Sequence, residues 1–160
     1  MRSSTDHEAS RFQADATFVT LSVANQPCAI EVSCVRDILG EQAITPIPLA
    51  PREIAGSLNL RGRIVTAINL RRRLGLPDAA PDRPCMSVVI DQGGELYAFL
   101  VDQVDEVLTP QHENFEANPS TLKHPWSLFS AGVYRLEAGL LVVLDTAQLL
   151  SLDASSWGRA

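Results

Sequence analysis

The sequence has no long apolar run and few cysteines. Its longest unbroken aliphatic stretch is 140–144, far shorter than the roughly 20 residues that a membrane-spanning helix requires. Residues 1–15 are polar and contain no apolar segment of the kind that signal peptides carry, so we expect a cytoplasmic protein with no direct insertion into a membrane. The three cysteines form no C-x-x-C pair, which predicts reduced, mostly buried thiols.

Basic residues are also fewer than acidic ones. The 160 residues include 13 Lys and Arg against 19 Asp and Glu, a net charge of −6. A protein that grips nucleic acid needs a basic surface to neutralise phosphates, so this balance argues against that class. Hydrophobic residues make up 46% and charged residues 20%, the usage of a globular domain. A chain of this length can bury enough surface to fold without disulfides or metal.

The motifs of enzymes and cofactor sites are missing as well. His7, His112 and His124 lack the spacing of metal ligands, and no G-x-S-x-G surrounds a serine. The pair Gly93-Gly94 lies between two apolar stretches, where it predicts a hairpin turn and not a phosphate-binding loop. We therefore expect no catalysis and no metal, nucleotide or organic cofactor.

An internal repeat is the main feature that is present. Residues 17–32 predict a hairpin followed by a short helical turn at 33–39, and the same pattern returns 69 residues later at 87–108. Residues 55–70 resemble 131–146 at an offset of 76. The Pro- and Ala-rich stretch 78–84 reads as a linker. The repeat predicts two halves of short strands, each a small closed five-stranded barrel that leaves no long open edge.

Residues typical of helix ends and turns occur at three places. Asn69 and Asp145 each precede an apolar pair at helical spacing, so we expect each to cap a short helix. Gly75 is placed to end the first of these helices. The sequence Leu60-Arg61-Gly62-Arg63 predicts a hairpin turn in which Gly62 adopts a positive φ.

Charge is unevenly distributed between the halves. Residues 84–122 contain no Lys or Arg. Three interpretations stay open: two solvated faces of opposite sign, two protein-binding surfaces of opposite polarity, or a nucleic-acid patch. The basic cluster consists of Arg61, Arg63, Arg71, Arg72 and Arg73. The acidic residues of 84–122 are Asp91, Glu95, Asp102, Asp105, Glu106, Glu113 and Glu116.

Three segments carry a family resemblance. They are G-S-L-N-L-R-G-R-I-V-T-A-I-N-L-R-R-R-L-G-L at 56–76, F-L-V-D-Q-V-D-E-V at 99–107, and A-G-V-Y-R-L with L-L-V-V-L-D between 131 and 145. Together they resemble the CheW family, the adaptors of bacterial chemosensory arrays, over residues 17–152. The resemblance implies an all-β fold with short helices, in which two SH3-like five-stranded barrels form one CheW-like domain.

The resemblance also implies function, partners and a site. It implies a non-catalytic adaptor that couples the cytoplasmic tips of chemoreceptors, the methyl-accepting chemotaxis proteins, to the regulatory domain of the histidine kinase CheA, in an array at the inner face of the membrane. Arg61 matches the characteristic Arg of the family, and Asp37 falls where members often have Glu. The residues that the resemblance places at the receptor or kinase surface are Val35, Asp37, Ile38, Arg61, Gly62, Val88, Phe99 and Val101.

These observations predict the following organisation. Residues 1–15 form a disordered tail, 16–152 form the domain and 153–160 form a second tail. Within the domain, 16–77 form the first barrel, on which 146–152 can pack, and 85–145 form the second. Three other functions stay open: an adaptor of an array that controls pili, development or a second messenger, a small-barrel nucleic-acid-binding protein, and a thiol enzyme that uses Cys28 or Cys34.

Overall fold

The computed structural model describes residues 16–151, so the predicted tails lie outside the described residues. The strands are β1 (Phe18–Val23), β2 (Gln26–Glu31), β3 (Val35–Leu39), β4 (Ile54–Leu60), β5 (Arg63–Asn69), β6 (Met86–Gln92), β7 (Glu95–Val101), β8 (Gln103–Leu108), β9 (Phe115–Glu116), β10 (Ser130–Leu136) and β11 (Gly139–Leu144). The helices are α1 (Leu70–Arg73), α2 (Trp126–Phe129) and α3 (Thr146–Leu150), and 3-10 turns cover Val32–Cys34 and His112–Asn114. None of the helices in 16–151 has the length and apolar character needed to cross a bilayer.

The strands form two sheets of matching design. Sheet 1 has the order β8-β1-β2-β11-β10-β9, and sheet 2 has the order β3-β6-β7-β5-β4. When β1 to β5 are equated with β6, β7, β8, β10 and β11, the first five strands of sheet 1 map onto sheet 2 in the same order. In both sheets the central pairing is parallel, β2 with β11 and β5 with β7. The internal repeat is therefore visible in the topology, and the predicted all-β fold with two β subdomains is confirmed.

The two sheets do not coincide with the two halves of the chain. Sheet 1 takes β1 and β2 from the first half and its other strands from the second, while sheet 2 takes β3, β4 and β5 from the first half and β6 and β7 from the second. The expectation of one barrel from 16–77 and another from 85–145 differs from this arrangement. Each half contributes a hairpin to one sheet and its remaining strands to the other, three from the first half and four from the second, so the halves are interlaced.

Of the helical turn that apolar spacing predicts at 33–39, only Ser33 and Cys34 lie in a 3-10 turn, and Val35–Leu39 form the strand β3. In β3, Val35 lies opposite Ile90 and Ile38 lies opposite Val88, so three steps along β3 match two along β6. This bulge adds one residue and leaves Val35 and Ile38 on the same face, a spacing that imitates a helix. The equivalent strand β8 has the same irregularity, because Val104 and Val107 pair with residues two apart in β1.

Three apolar clusters hold the fold together. The largest contains buried residues from both sheets, among them Leu21, Ile30, Ile68, Val88 and Phe99. Two smaller clusters belong to one sheet each, around Phe18 and Tyr134 in sheet 1, and around Leu58 and Val89 in sheet 2. The sheets therefore share one central core and cannot separate without exposing it to water.

Two equivalent glycines, one in each sheet, lie too close to a neighbouring segment to carry a side chain. Gly56 in β4 has φ +148°, and a Cβ there would overlap the carbonyl of Thr45, which bridges to Ser57. Gly132 in β10 has φ +141°, and its Cβ would overlap the ring of Phe115 in β9. In sheet 2 the chain after β3 returns to pair with β4, and in sheet 1 the chain after β8 returns to pair with β10. Only glycine leaves room for the returning segment at these two positions.

The predicted helix caps are present. The Asn69 side chain accepts a hydrogen bond from the backbone N–H of Arg72, and Asp145 does the same for Gln148. Each cap satisfies a backbone donor at the start of a short helix. The repeat therefore extends from the strands to the helix that follows each last strand.

A nearly buried ion pair joins α1 to the first hairpin. Arg71 donates two hydrogen bonds to the Asp102 carboxylate, at 2.9 and 2.7 Å, and a third to the carbonyl of Pro77. Asp102 also accepts the backbone N–H of Ala24, in the turn between β1 and β2. The Arg71 and Asp102 side chains are only 15% and 8% exposed. One carboxylate thus fastens the two sheets and α1 to one another.

Candidate functional site: a charged groove at one end of sheet 2

Two tight hairpin turns create an open groove at one end of sheet 2. In the β4–β5 turn Arg61 and Gly62 have φ of +51° and +86°, and in the β6–β7 turn Gly93 and Gly94 have +62° and +88°. Two positive φ values in succession are typical of a type I′ turn, which closes two-residue hairpins. The groove has a volume of about 420 Å³. It is lined by Arg36, Asp37, Leu60, Arg61, Arg63, Asp91 and Leu96.

Asx side chains brace both turns. Asn59 accepts the N–H of Gly62 at 2.8 Å, and Asp91 accepts the N–H of Gly94 at 2.9 Å. Asp91 also accepts two hydrogen bonds from Arg36, at 2.8 and 3.2 Å. The Arg36 guanidinium, and after it the Gly94 N–H, hold the pKa of Asp91 below its ordinary value, so this carboxylate remains charged at neutral pH.

Arg61 extends across the groove from the turn. Its guanidinium lies 3.2 Å from an oxygen of Asp37, whose other oxygen accepts the N–H of Ile38. The Arg61 side chain is 83% exposed. An exposed pair of this kind contributes only about 0–1 kcal/mol to folding. The guanidinium therefore keeps most of its donors available for a carboxylate or carbonyl of another molecule.

Apolar side chains flank the charged groove. Ile64 follows Arg63 in β5 and is 71% exposed. Residues alternate sides along a strand, so Ile64 shares its face with Ile68, which lies in the central core. Ile38 on β3 is also exposed and lies on the face that Val88 shares with that core. The central core thus continues to the surface beside the arginines.

The structure separates the site residues predicted from the sequence into two groups. Asp37, Ile38, Arg61 and Gly62 are accessible or partly accessible around the groove, and Val35 lies half-buried on the same strand. By contrast, Val88, Phe99 and Val101 are buried in the central core, with no more than 2% exposure. These three cannot form the wall of an open groove, because their side chains are covered by residues of both sheets.

Six residues around the groove were not assigned to a site from the sequence, although Arg63 and Asp91 were noted among the charged residues. They are Arg36, Leu60, Arg63, Ile64, Asp91 and Leu96. The sequence offered a clue to one of them. Ile64 is apolar but lies on the opposite face of its strand from the buried Val65 and Ala67. For Arg36 and Asp91 the pairing of β3 with β6 is needed, and that contact joins the two halves of the chain.

The basic cluster does not form a single surface. Arg71 is bound to Asp102, and Arg72 donates two hydrogen bonds to Asp78. Arg73 donates to backbone carbonyls at the end of α3. Only Arg61 and Arg63 lie at the groove. Three of the five guanidiniums are therefore held within the molecule, which does not favour the cluster as a phosphate-binding patch.

Metal-ligand geometry is absent from 16–151, where no three His, Cys, Asp or Glu side chains come together. Cys28 is buried, and burial raises the pKa of its thiol. A thiol in an apolar interior is a poor nucleophile, because the thiolate is the reactive form. The site can therefore bind another molecule through charged and apolar contacts.

Comparisons with known proteins agree with this fold. The family model described as CheW-like domain matches residues 17–154. The chain is 25% identical over 139 residues to the "Probable chemotaxis protein CheW" of Rhizobium etli, covering 87% of this chain and 90% of that one. It is 28% identical over 136 residues to the chemotaxis protein CheW of Klebsiella aerogenes, covering 85% and 82%.

A solved structure supports the fold independently. The crystal structure of the scaffolding protein TtCheW from Thermoanaerobacter tengcongensis superposes with a TM-score of 0.80 at 22% identity, covering 90% of this chain and 98% of that one. The likeness in three dimensions includes the interlaced sheets, since nearly all of both chains is matched. With a family model that spans both sheets and all three helices, the chain belongs to the CheW-like domain family.

Proposed function

We propose that this protein is a non-catalytic adaptor that couples chemoreceptors to the histidine kinase CheA. The observation that carries the proposal is the family match over 17–154, which leaves almost none of the described residues for any other domain. Relatives of similar length bear the name chemotaxis protein CheW, and the matched structure is titled a scaffolding protein. Coupling two partners requires surfaces and not a reaction centre.

The groove at the end of sheet 2 is the surface that we assign to a partner. Arg61 and Asp37 provide an exposed donor and acceptor, and Ile38 and Ile64 provide apolar contact beside them. A charged pair flanked by exposed aliphatic side chains suits the surface of a helical hairpin such as a receptor tip. The buried Val88, Phe99 and Val101 support this surface from below by fixing the strands that carry it.

The output of the array is not encoded in the groove. An adaptor of an array that controls pili, development or a second messenger would use the same fold and the same kind of contact. The nucleic-acid alternative is not favoured, because three arginines of the basic cluster are engaged within the molecule. We propose that the protein reaches the inner face of the membrane through its partners.

Co-sedimentation with a receptor-tip fragment, with and without CheA, tests the proposal. We expect Arg61→Ala to lower receptor binding by at least ~10-fold, equivalent to about 1.4 kcal/mol. Its melting temperature should stay within about 2–4 °C of the parent, the shift that ~1 kcal/mol produces in a domain of this size.

Arg135→Ala is the matched control. Arg135 also lies on a strand and forms an exposed ion pair, with Glu116 at 2.6 Å, but it belongs to sheet 1. It should bind the receptor fragment like the parent. Equal binding by parent and Arg61→Ala would remove Arg61 from the receptor surface. Absence of the parent from both the receptor and the kinase pellets would refute the adaptor function.

A further inference from the structure

A second groove lies between α1 and α2, away from the charged groove of sheet 2. Its volume is about 340 Å³, and its walls include Arg73, Leu74, His124, Leu128 and Phe129. Leu128 is 52% exposed although it belongs to a helix whose next residue, Phe129, is buried. The groove therefore presents a large aliphatic side chain to water beside aromatic and cationic groups.

Arg73 occupies an unusual position in this groove. Its guanidinium lies 4.8 Å from the centre of the Phe129 ring and donates hydrogen bonds to the carbonyls of Leu149, Gln148 and Ser151. Within residues 16–151, no carboxylate forms an ion pair with it, and the charge of Glu53 acts on it only from farther away. A carboxylate placed directly against this half-buried cation would stabilise it further.

The described part of the chain ends close to Arg73. Ser151, the last described residue, has its carbonyl on the Arg73 guanidinium at 3.3 Å. Ser151 therefore lies beside the wall of the groove that Arg73 forms. The sequence that follows contains Leu152, the carboxylate Asp153 two positions after Ser151, and Trp157. At about 3.3–3.6 Å per residue, the six residues 152–157 can reach any part of a groove of this size.

We propose that the groove between α1 and α2 binds residues 152–157 of the same chain, with Asp153 paired to Arg73 and Trp157 packed on Leu128. The sequence supplies the two groups that the groove lacks, a negative charge for Arg73 and an apolar cover for Leu128. A large aromatic side chain is an effective anchor in a site of this kind. The tethered segment has a high effective concentration at its own groove, which favours it over a separate partner.

This contact would have a structural consequence. Arg73 belongs to α1 of the first half, and the carbonyls it binds belong to α3 of the second half. A segment seated on Arg73 and Leu128 would cover the junction of α1, α2 and α3. It would also remove the exposed Leu128 from water.

Fluorine NMR of the full chain labelled with 5-fluorotryptophan tests the proposal. The chain has two tryptophans, Trp126 and Trp157, and Trp157→Phe identifies the resonance of the second. We expect the Trp157 resonance to be displaced from that of free 5-fluorotryptophan and to be insensitive to exchange of H₂O for D₂O. Leu128→Asp should return it to the solvent position, and Asp153→Asn should move it part of the way.

Leu49→Asp is the matched control, because Leu49 is another exposed leucine, at 72% against 52% for Leu128, on the loop between β3 and β4. It should leave the Trp157 resonance unchanged. A Trp157 resonance at the solvent position in the parent would overturn the proposal. So would a displaced resonance that ignores Leu128→Asp while circular dichroism shows that variant folded. Displacement that appears only with dimerisation in sedimentation would assign the groove to a second copy, and would equally refute binding within one chain.

Discussion

Removal of the Arg71 guanidinium should destabilise the fold more than its position near the surface suggests. Arg71 and Asp102 form a two-bond pair, and the same carboxylate holds the N–H of Ala24. In Arg71→Met the aliphatic stem remains, but Asp102 is left as a nearly buried charge without its partner. The change therefore tests the ion pair and not the packing of the side chain.

The magnitude follows from burial. Breaking a buried pair by removing one partner costs about 3–5 kcal/mol. Both side chains here keep slight contact with water, so we expect about 2–3 kcal/mol, or a fall in melting temperature of about 4–12 °C for a domain of this size. Arg72→Met is the matched control in the same helix, since its partner Asp78 lies at the surface. Its melting temperature should change far less.

The pH dependence gives a second readout. Burial disfavours the charge of Asp102, but the hydrogen bonds from Arg71 and Ala24 outweigh burial and lower its pKa below the ordinary value. A lowered pKa contributes stability above the unfolded value of about 3.9, and this contribution is lost as the pH falls through the folded value. The stability gap between parent and Arg71→Met should therefore narrow below about pH 4. Equal thermal melts for Arg71→Met and Arg72→Met, together with a constant gap across pH, would refute this account of the junction.

Three further outcomes are expected. A fragment of residues 1–77 should be insoluble or unfolded on expression, because its β1 and β2 belong to a sheet completed by the second half; a sharp thermal transition in the fragment would contradict this. Gly56→Ala should be much less stable than Gly139→Ala in denaturant titration, because both glycines have φ above +130° but only the first would meet a backbone carbonyl; equal losses would show that φ alone matters. In the native protein Ellman's reagent should leave Cys28 unmodified while Cys34 and Cys85 react, since only Cys28 is fully buried; modification of all three without unfolding would be inconsistent with the central core.

The sequence predicted what local chemistry controls. The caps at Asn69 and Asp145 and the turn at Gly62 depend on residues within one turn of the chain. The repeat was also evident, but a repeat gives only the equivalence of two hairpins and not the sheet that each one joins. That choice depends on pairs such as Cys28 with Val142, which no local pattern encodes.

The errors at the candidate site have the same origin. The pairing of Val88 with Phe99 puts Val88, Phe99 and Val101 on one face, but only the packing of the other sheet decides that this face is buried. The apparent helix at 33–39 came from a bulge that shifts the strand period by one residue. By contrast, the hairpin turn that carries Arg61 and Gly62 was predicted correctly, because the residues of the turn determine it locally.

The interlaced sheets also have a consequence for the synthesis of the chain. The parallel partner of β2 is β11, and Cys28 and Val142 are 114 positions apart. At about 5–20 residues per second, the ribosome needs roughly 6–23 s after making Cys28 before its partner exists. The first hairpin has two unpaired edges until β8 is made, and the edge of β2 stays open until β11 is made. Open edges invite association with other nascent chains. High contact order of this kind also slows folding itself, so we expect this small domain to fold as one unit, after its last strands have been made.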